Sequence, residues 1–136
     1  KRINDILNLV ELKEFAGKYP QELSGGMAQR VAIARAFAYP SEFLVMDEPF
    51  KGLDIGLKKR LTDAFLKLWS QDKRTVIYVT HDIDEALLLA DNVTVISGKP
   101  AEIAFYAEVP GEKLGRSLAD PALNTVREGI YKALLK

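Results

Sequence analysis

Two short apolar runs, each closed by polar residues, constrain this sequence more than any other feature. Residues 43–46 form the first run and are followed directly by Asp47 and Glu48; residues 75–80 form the second and are followed by His81. Continuous apolar runs of this length predict strands that are buried on both faces, as in parallel sheets. An amphipathic helical stripe lies between them, so the order strand, helix, strand predicts a right-handed crossover. We expect an α/β fold with a largely parallel sheet flanked by helices.

Apolar periodicity predicts further elements around these strands. A first helix is expected to stop before Gly17, and a second runs from about Met27 to Ala38. Asp54 can cap the helix that follows it, and Asp120 can cap the last helix. The remaining expectations are a short helix over 83–90, a third strand over 93–97, an edge strand over 101–109, and a buried stripe of Leu123, Val126, Ile130 and Leu134 on the last helix.

Composition excludes several classes of function. The 136 residues carry 19 basic and 19 acidic side chains, one histidine and no cysteine. Balanced charge argues against non-specific nucleic-acid binding, which needs a basic surplus. The lack of cysteine excludes a disulfide scaffold and a thiolate metal site. Since no apolar run approaches the roughly 20 residues that span a bilayer, and no signal peptide is evident, the cytoplasm is the expected compartment.

The polar residues that close the two runs are candidates for catalysis, because ligands of parallel sheets bind beyond the carboxyl ends of the strands. Of the neighbouring Asp47 and Glu48, one carboxylate can hold Mg²⁺ through water while the other orients a nucleophilic water. His81 can donate a hydrogen bond to a terminal phosphate or to that water. The plainer alternatives are two solvated carboxylates and a structural or merely exposed histidine.

Ser24, Gly25 and Gly26 precede the second helix. The N-terminus of a helix offers unpaired N–H groups and the positive end of the dipole, and glycine lets an anion approach closely. Phosphate binding is one interpretation of this segment. An ordinary serine N-cap is the other.

In order, these segments resemble the nucleotide-binding subunit of ATP-binding cassette (ABC) transporters. Residues 23–27 (Leu-Ser-Gly-Gly-Met), with the helix that continues through 29–36, resemble the family's signature motif. Residues 43–49 resemble its Walker B strand with the adjoining glutamate, residues 52–54 its D-loop, and residues 79–82 its switch-histidine motif. Met27 and Lys51 depart from the usual pattern, and we expect function to tolerate both.

The resemblance implies roles for these residues. Asp47 would position Mg²⁺ through water, Glu48 would polarise the attacking water, and His81 would contact the γ-phosphate of ATP. The segment of Ser24, Gly25 and Gly26 would bind the γ-phosphate of a nucleotide held mainly by the opposite subunit. Asp54 would communicate across that dimer interface. Positioning and charge stabilisation of this kind are what phosphoryl transfer requires.

The resemblance also implies an organisation and a set of partners. Residues 1–38 would be the C-terminal part of a helical subdomain, 39–110 part of a RecA-like core of the P-loop NTPase type, and 111–136 a C-terminal loop and helix. The partners implied are a second nucleotide-binding subunit, a membrane permease at the inner face of the cell membrane and, indirectly, a solute-binding protein. Phe50, residues 81–86 and residues 89–91 look most like the nitrate, sulfonate and taurine importer branch.

The P-loop pattern G-x-x-x-x-G-K-[ST], which would cradle the β- and γ-phosphates, does not occur in the sequence. Together with a start at Lys1 instead of methionine, this predicts a C-terminal fragment of a larger ATPase that is inactive alone. A sheet that lacks the strand carrying the P-loop would leave apolar surface uncovered, so we also expect self-association.

Interpretations that assign the chain to other classes of protein remain open at this point. The ATPase lobe of a chromosome-maintenance or DNA-repair protein shares the signature and Walker B motifs, although this chain has no sustained heptads. A non-catalytic interaction module, an ABC exporter and a cytosolic translation factor of the same superfamily are the others.

Overall fold

The computed structural model describes residues 2–135. The chain forms two compact units, Lys1–Val79 and Thr80–Lys136, each with its own secondary structure. In chain order, unit 1 contains α1 (Arg2–Leu9), α2 (Gly25–Ala38), β1 (Phe43–Asp47), α3 (Ile55–Gln71) and β2 (Thr75–Val79), and unit 2 contains α4 (Ile83–Leu89), β3 (Asn92–Ser97), β4 (Glu102–Glu108) and α5 (Asn124–Leu134).

The two apolar runs form the parallel pair predicted from sequence. β1 pairs with β2 in a register that sets Asp47 opposite Val79, so both strands end at the same edge. The crossover is α3, which begins at Asp54; the side chain of this aspartate accepts a hydrogen bond from the Leu57 N–H at 2.9 Å. Both the parallel pairing and the cap on α3 are confirmed.

The expected burial on both faces of these strands is wrong. Leu44 and Met46 are buried, but Phe43 is 63% exposed and Val45 67% exposed. β2 likewise exposes Ile77. Unit 1 packs apolar partners against one face of the pair only, because a two-stranded sheet joined by one helix supplies a single covering layer.

Aromatic side chains build the covered face. The ring of Phe65 on α3 meets Phe37 of α2 edge-on at 5.3 Å between centroids and Tyr78 of β2 at 6.1 Å. Phe50, which is fully buried just after β1, meets Tyr78 at 6.0 Å. Such pairs add stability beyond the area that they bury. The cluster fixes the segment after β1 against the helices.

Two arginines anchor helix ends in unit 1. Arg74, which is buried, donates to the carbonyl of Tyr39 at 2.8 Å and to that of Phe37 at 3.3 Å, where α2 ends. Arg30 of α2 donates to the carbonyl of Val10 at 3.0 Å. α1 ends at Leu9, well before Gly17, because the chain turns through a left-handed Glu11 with φ of 57°.

Unit 2 contains an antiparallel hairpin instead of a third parallel strand. β3 pairs only with β4 among the described residues, so the expectation that the third strand extends a largely parallel sheet is wrong. The connection over 98–101 is a tight turn, whereas a parallel neighbour needs a crossover of about a dozen residues or more.

α5 covers this hairpin. Its buried stripe contains Leu123, Val126 and Ile130 as predicted, but Ala133 takes the place expected for Leu134, which is 53% exposed. Asp120 caps the short 3₁₀ turn that leads into α5, accepting from the Ala122 N–H at 2.9 Å. The stripe is therefore confirmed except at its last position.

Candidate functional site

Glu48 occupies a turn held in an unusual backbone conformation. It follows the last residue of β1, and its φ of 46° lies in the left-handed region that residues other than glycine seldom adopt. Its N–H donates to the carbonyl of Val79 at 2.8 Å, which extends the parallel pairing by one hydrogen bond. Non-glycine residues held in this region are concentrated at functional sites.

Further contacts hold the carbonyl and the side chain of Glu48. The Lys51 N–H donates to the Glu48 carbonyl at 3.1 Å, and the Lys51 ammonium lies 3.5 Å from Glu48 Oε2. Gln29 on α2 donates from Nε2 to the Pro49 carbonyl and reaches the Glu48 carbonyl at 3.5 Å. Sequence reasoning placed Gln29 in the signature helix without a role, and its partners lie too far along the chain for any local pattern to show them.

Ser24 caps α2 and thereby defines the glycine-rich end of that helix. Its Oγ accepts from the Met27 N–H at 3.2 Å, which is the ordinary N-cap contact. A Cβ placed on Gly26 would lie 3.7 Å from Leu53 Cδ2, so the first turn of α2 lies against the segment that leads to Asp54. The cap leaves the positive end of a 14-residue helix dipole exposed at Gly25.

His81 lies in unit 2, where a hydrogen-bonded turn precedes α4. Thr80 Oγ1 donates to Glu85 Oε2 at 2.8 Å and accepts from the Asp82 N–H at 3.0 Å. Asp82 caps α4 by accepting from the N–H groups of Asp84 and Glu85. The side chain of His81 is exposed. The part-buried Thr80–Glu85 hydrogen bond was missed from sequence, since the acids were candidates only for the helix cap.

Asp47 ends β1 with an exposed side chain. No group of three or more His, Cys, Asp or Glu residues within 2–135 could hold a metal ion alone. Mg²⁺ needs few protein carboxylates when it also binds water and nucleotide phosphates. One carboxylate at the carboxyl end of a parallel strand therefore fits Mg²⁺ held through water.

The structure thus brings the sequence-predicted residues of unit 1 onto connected elements. The cap of α2, the turn at Glu48 and the cap of α3 are joined by the contacts of Gln29 and Leu53, and His81 heads the first helix of unit 2. The helices of the described chain include none that is long and apolar enough to cross a membrane. A parallel pair with carboxylates at its carboxyl end, beside a glycine-rich helix N-terminus, defines an α/β domain.

Comparison with known proteins specifies the family. The family model described as ABC transporter matches residues 1–51. The aliphatic sulfonates import ATP-binding protein SsuB of Bacillus licheniformis is 41% identical over 133 residues, covering 97% of this chain and 51% of the relative. That of Bacillus cereus is 44% identical over 139 residues, covering 99% and 55%.

Solved structures agree with this result. A dimeric post-hydrolysis state of an ATP-binding cassette bound to ADP and phosphate has a TM-score of 0.69 at 33% identity, over 82% of this chain and 47% of that one. An archaeal ribosome recycling factor, solved in complex with a ribosomal stalk protein, gives 0.70 at 30% identity, over 79% and 21%. The chain is similar to ABC transporter ATP-binding domains over nearly all of its length, and it spans 51–55% of the length of the two SsuB relatives.

Proposed function

We propose that this chain is part of the ATP-hydrolysing subunit of an ABC importer for a small solute such as a sulfonate, nitrate or taurine. The observation that supports this most directly is the turn at Glu48, which holds a carboxylate at the carboxyl end of β1 through backbone contacts to β2 and side-chain contacts to α2. The import function named for the SsuB relatives supports the transport role and the sulfonate.

Each candidate residue has a proposed part in this reaction. Glu48 orients and polarises the water that attacks the γ-phosphate, and its fixed backbone reduces the reorganisation needed at the moment of attack. His81 donates a hydrogen bond to the γ-phosphate. Asp47 holds Mg²⁺ through water, and the ion, when bound, neutralises charge on the phosphate oxygens.

The glycine-rich end of α2 acts on a second nucleotide. Ser24, Gly25 and Gly26 bind the γ-phosphate of ATP carried by a partner subunit, using the N–H groups and dipole of the helix. Asp54 communicates across the interface between the two subunits. Function then depends on a dimer of nucleotide-binding subunits docked on a permease at the cytoplasmic face of the membrane and fed by a solute-binding protein.

The segments have matching proposed places in the whole domain. Residues 1–38 belong to its helical subdomain, 39–110 to its RecA-like core and 111–136 to its C-terminal end. Because the P-loop pattern does not occur in the 136 residues, the chain alone is proposed to lack tight ATP binding and turnover. Phosphate release by the purified chain, abolished by Glu48→Gln, would contradict this.

The test of the ATPase assignment uses the longer protein that contains this chain and a P-loop. Glu48→Gln keeps the size of the side chain but removes its charge, and it is expected to lower the steady-state rate of phosphate release by about 10²-fold or more. Glu42→Gln, at an exposed position just before β1, is the matched control. Equal rates for these two variants would refute the role of Glu48.

The substrate is tested separately. In vesicles that contain the permease, ATP hydrolysis should rise when the solute-binding protein is loaded with an alkanesulfonate and stay at its basal rate with an uncharged sugar. Stimulation by nitrate or taurine, with none by an alkanesulfonate, would keep the importer and remove alkanesulfonates from its proposed solutes.

A cytosolic ABC ATPase is the second candidate, and the likeness to the ribosome recycling factor favours it. The two candidates differ in what they bind. An importer subunit should sediment with membranes only when its permease is expressed. A cytosolic ABC ATPase similar to the recycling factor should sediment with ribosomes instead.

A further inference from the structure

The contact between Gln29 and the Glu48 turn carries an inference that rests on the proposed ATPase function and deepens it. Gln29 lies on α2, five positions after the Ser24 cap, and its amide is part-buried against the segment that follows β1. Its hydrogen bonds connect α2, which is proposed to bind the partner's nucleotide, to the turn of Glu48, which is proposed to polarise water. We propose that Gln29 is a positioning residue that couples the glycine-rich end of α2 to the orientation of the Glu48 carboxylate.

The geometry of the turn explains why such a residue is needed. A left-handed backbone is unfavourable for a non-glycine residue, so the conformation persists only where surrounding contacts enforce it. The N–H of Glu48 is bonded to Val79 and its carbonyl to the Lys51 N–H. Both of those bonds come from backbone of the sheet and of the turn itself. The amide of Gln29 contacts the turn from α2, and it accordingly transmits a displacement of that helix to the turn.

The direction of the hydrogen bond makes the role specific to a donor. Gln29 Nε2 donates to carbonyl oxygens of Pro49 and Glu48, which only accept. Proline has no N–H of its own, so the carbonyl is the only backbone group of Pro49 that can form a hydrogen bond with a neighbouring helix. Pro49 and Phe50 are buried, which prevents the turn from relaxing into solvent when α2 moves. A side chain of similar length without a donor should therefore uncouple α2 from Glu48 while filling the same space.

The first arm of the test measures amide hydrogen exchange in the chain itself and needs no activity. Gln29→Met should speed exchange at the Glu48 and Lys51 N–H groups by about threefold to tenfold relative to the Leu66 N–H in α3, since one hydrogen bond is lost. Gln29→Lys, which still donates, should leave that ratio near the wild-type value. Equal acceleration at Glu48, Lys51 and Leu66 would mean that Gln29 only stabilises the fold, and it would overturn the proposal.

The second arm uses the longer protein that contains this chain and a P-loop. It measures the single-turnover rate constant for hydrolysis of bound ATP, because this constant does not depend on the fraction of protein that is folded. Gln29→Met should lower that constant by about tenfold or more through misplacement of Glu48, with ATP affinity unchanged. Gln29→Lys should restore most of it, and Gln71→Met at an exposed site should have no effect. A wild-type constant in Gln29→Met overturns the coupling. If the wild-type protein does not hydrolyse ATP, the proposed function fails instead, and the exchange arm still decides whether Gln29 positions Glu48.

Discussion

The backbone of Glu48 allows strain to be measured separately from side-chain chemistry. Glu48→Ala and Glu48→Gly both remove the carboxylate, but only glycine adopts a φ of 46° without cost. The glycine variant should therefore be more stable to urea than the alanine variant by about 1 kcal/mol. Lys59, exposed on α3, is the control position, where alanine should instead be better than glycine by about 1 kcal/mol. The same order at both positions would contradict a strained turn.

Asp72 gives the chain a pH-dependent contribution to stability. The hydrogen bond from Arg74, aided by the charges of Arg74 and Arg2, lowers the pKa of the Asp72 carboxyl below its usual 3.8. Because the pKa is lowered on folding, the stabilisation is present above 3.8 and is lost as the pH falls through the folded value. Asp72→Asn should thus lower the urea midpoint at pH 7 and lose this effect at acid pH. Asp63→Asn, exposed on α3, is the control; a difference between wild type and Asp72→Asn that persists in acid would argue against the ion pair.

At the scale of single residues, sequence predicts local helix caps better than it predicts contacts between distant residues. Asp54 was expected to cap α3 from its position ahead of an apolar stripe, because a cap is a local pattern. The left-handed conformation of Glu48 and its contact with Gln29 depend on α2 packing beside the turn, which no local pattern encodes. The roles of Ser24 and His81 stay predictions.

Between elements, α5 approaches β4 so closely that a glycine is required. A Cβ on Gly129 would overlap the Phe105 ring at Cζ, which is closer than any stable contact. In the wild-type background Gly129→Ala should therefore destabilise the chain by about 1–3 kcal/mol through overpacking. Once Phe105→Ala removes the ring, the same change should instead stabilise by up to about 1 kcal/mol, because alanine favours the helix. Additive effects in this double-mutant cycle would show that helix and ring do not touch.

The elements themselves show where apolar patterns succeed and fail. The parallel pairing of β1 and β2 followed from runs of similar length separated by one helix. The same runs wrongly predicted that both faces of the strands are covered. An apolar run shows that a strand can be buried on both faces, but it does not show whether the 136 residues contain elements that cover both. β3 was wrongly assigned to the parallel sheet, since it pairs only with β4 among the described residues. The short turn after Ser97 explains why that pairing is antiparallel.

On the scale of the whole molecule, the exposed face of the β1–β2 pair determines how the chain behaves at high concentration. The face carries Phe43, Val45 and Ile77, and each strand pairs with one neighbour only among the described residues. Apolar side chains beside open strand edges favour association with another copy.

The light-scattering mass of the chain should therefore rise above 15.2 kDa as concentration increases. Val45→Lys introduces a charge at the centre of this face and should move the rise to higher concentration by about tenfold, as desolvating one ammonium costs on the order of 1.4 kcal/mol or more. Ile55→Lys provides the control, since Ile55 is 88% exposed at the start of α3 and lies outside the face. If the mass stays at 15.2 kDa throughout, or if both lysine variants act alike, the β1–β2 face does not mediate association. If Val45→Lys suppresses the rise and Ile55→Lys does not, the exposed apolar face of the β1–β2 pair is the surface through which copies of this chain associate.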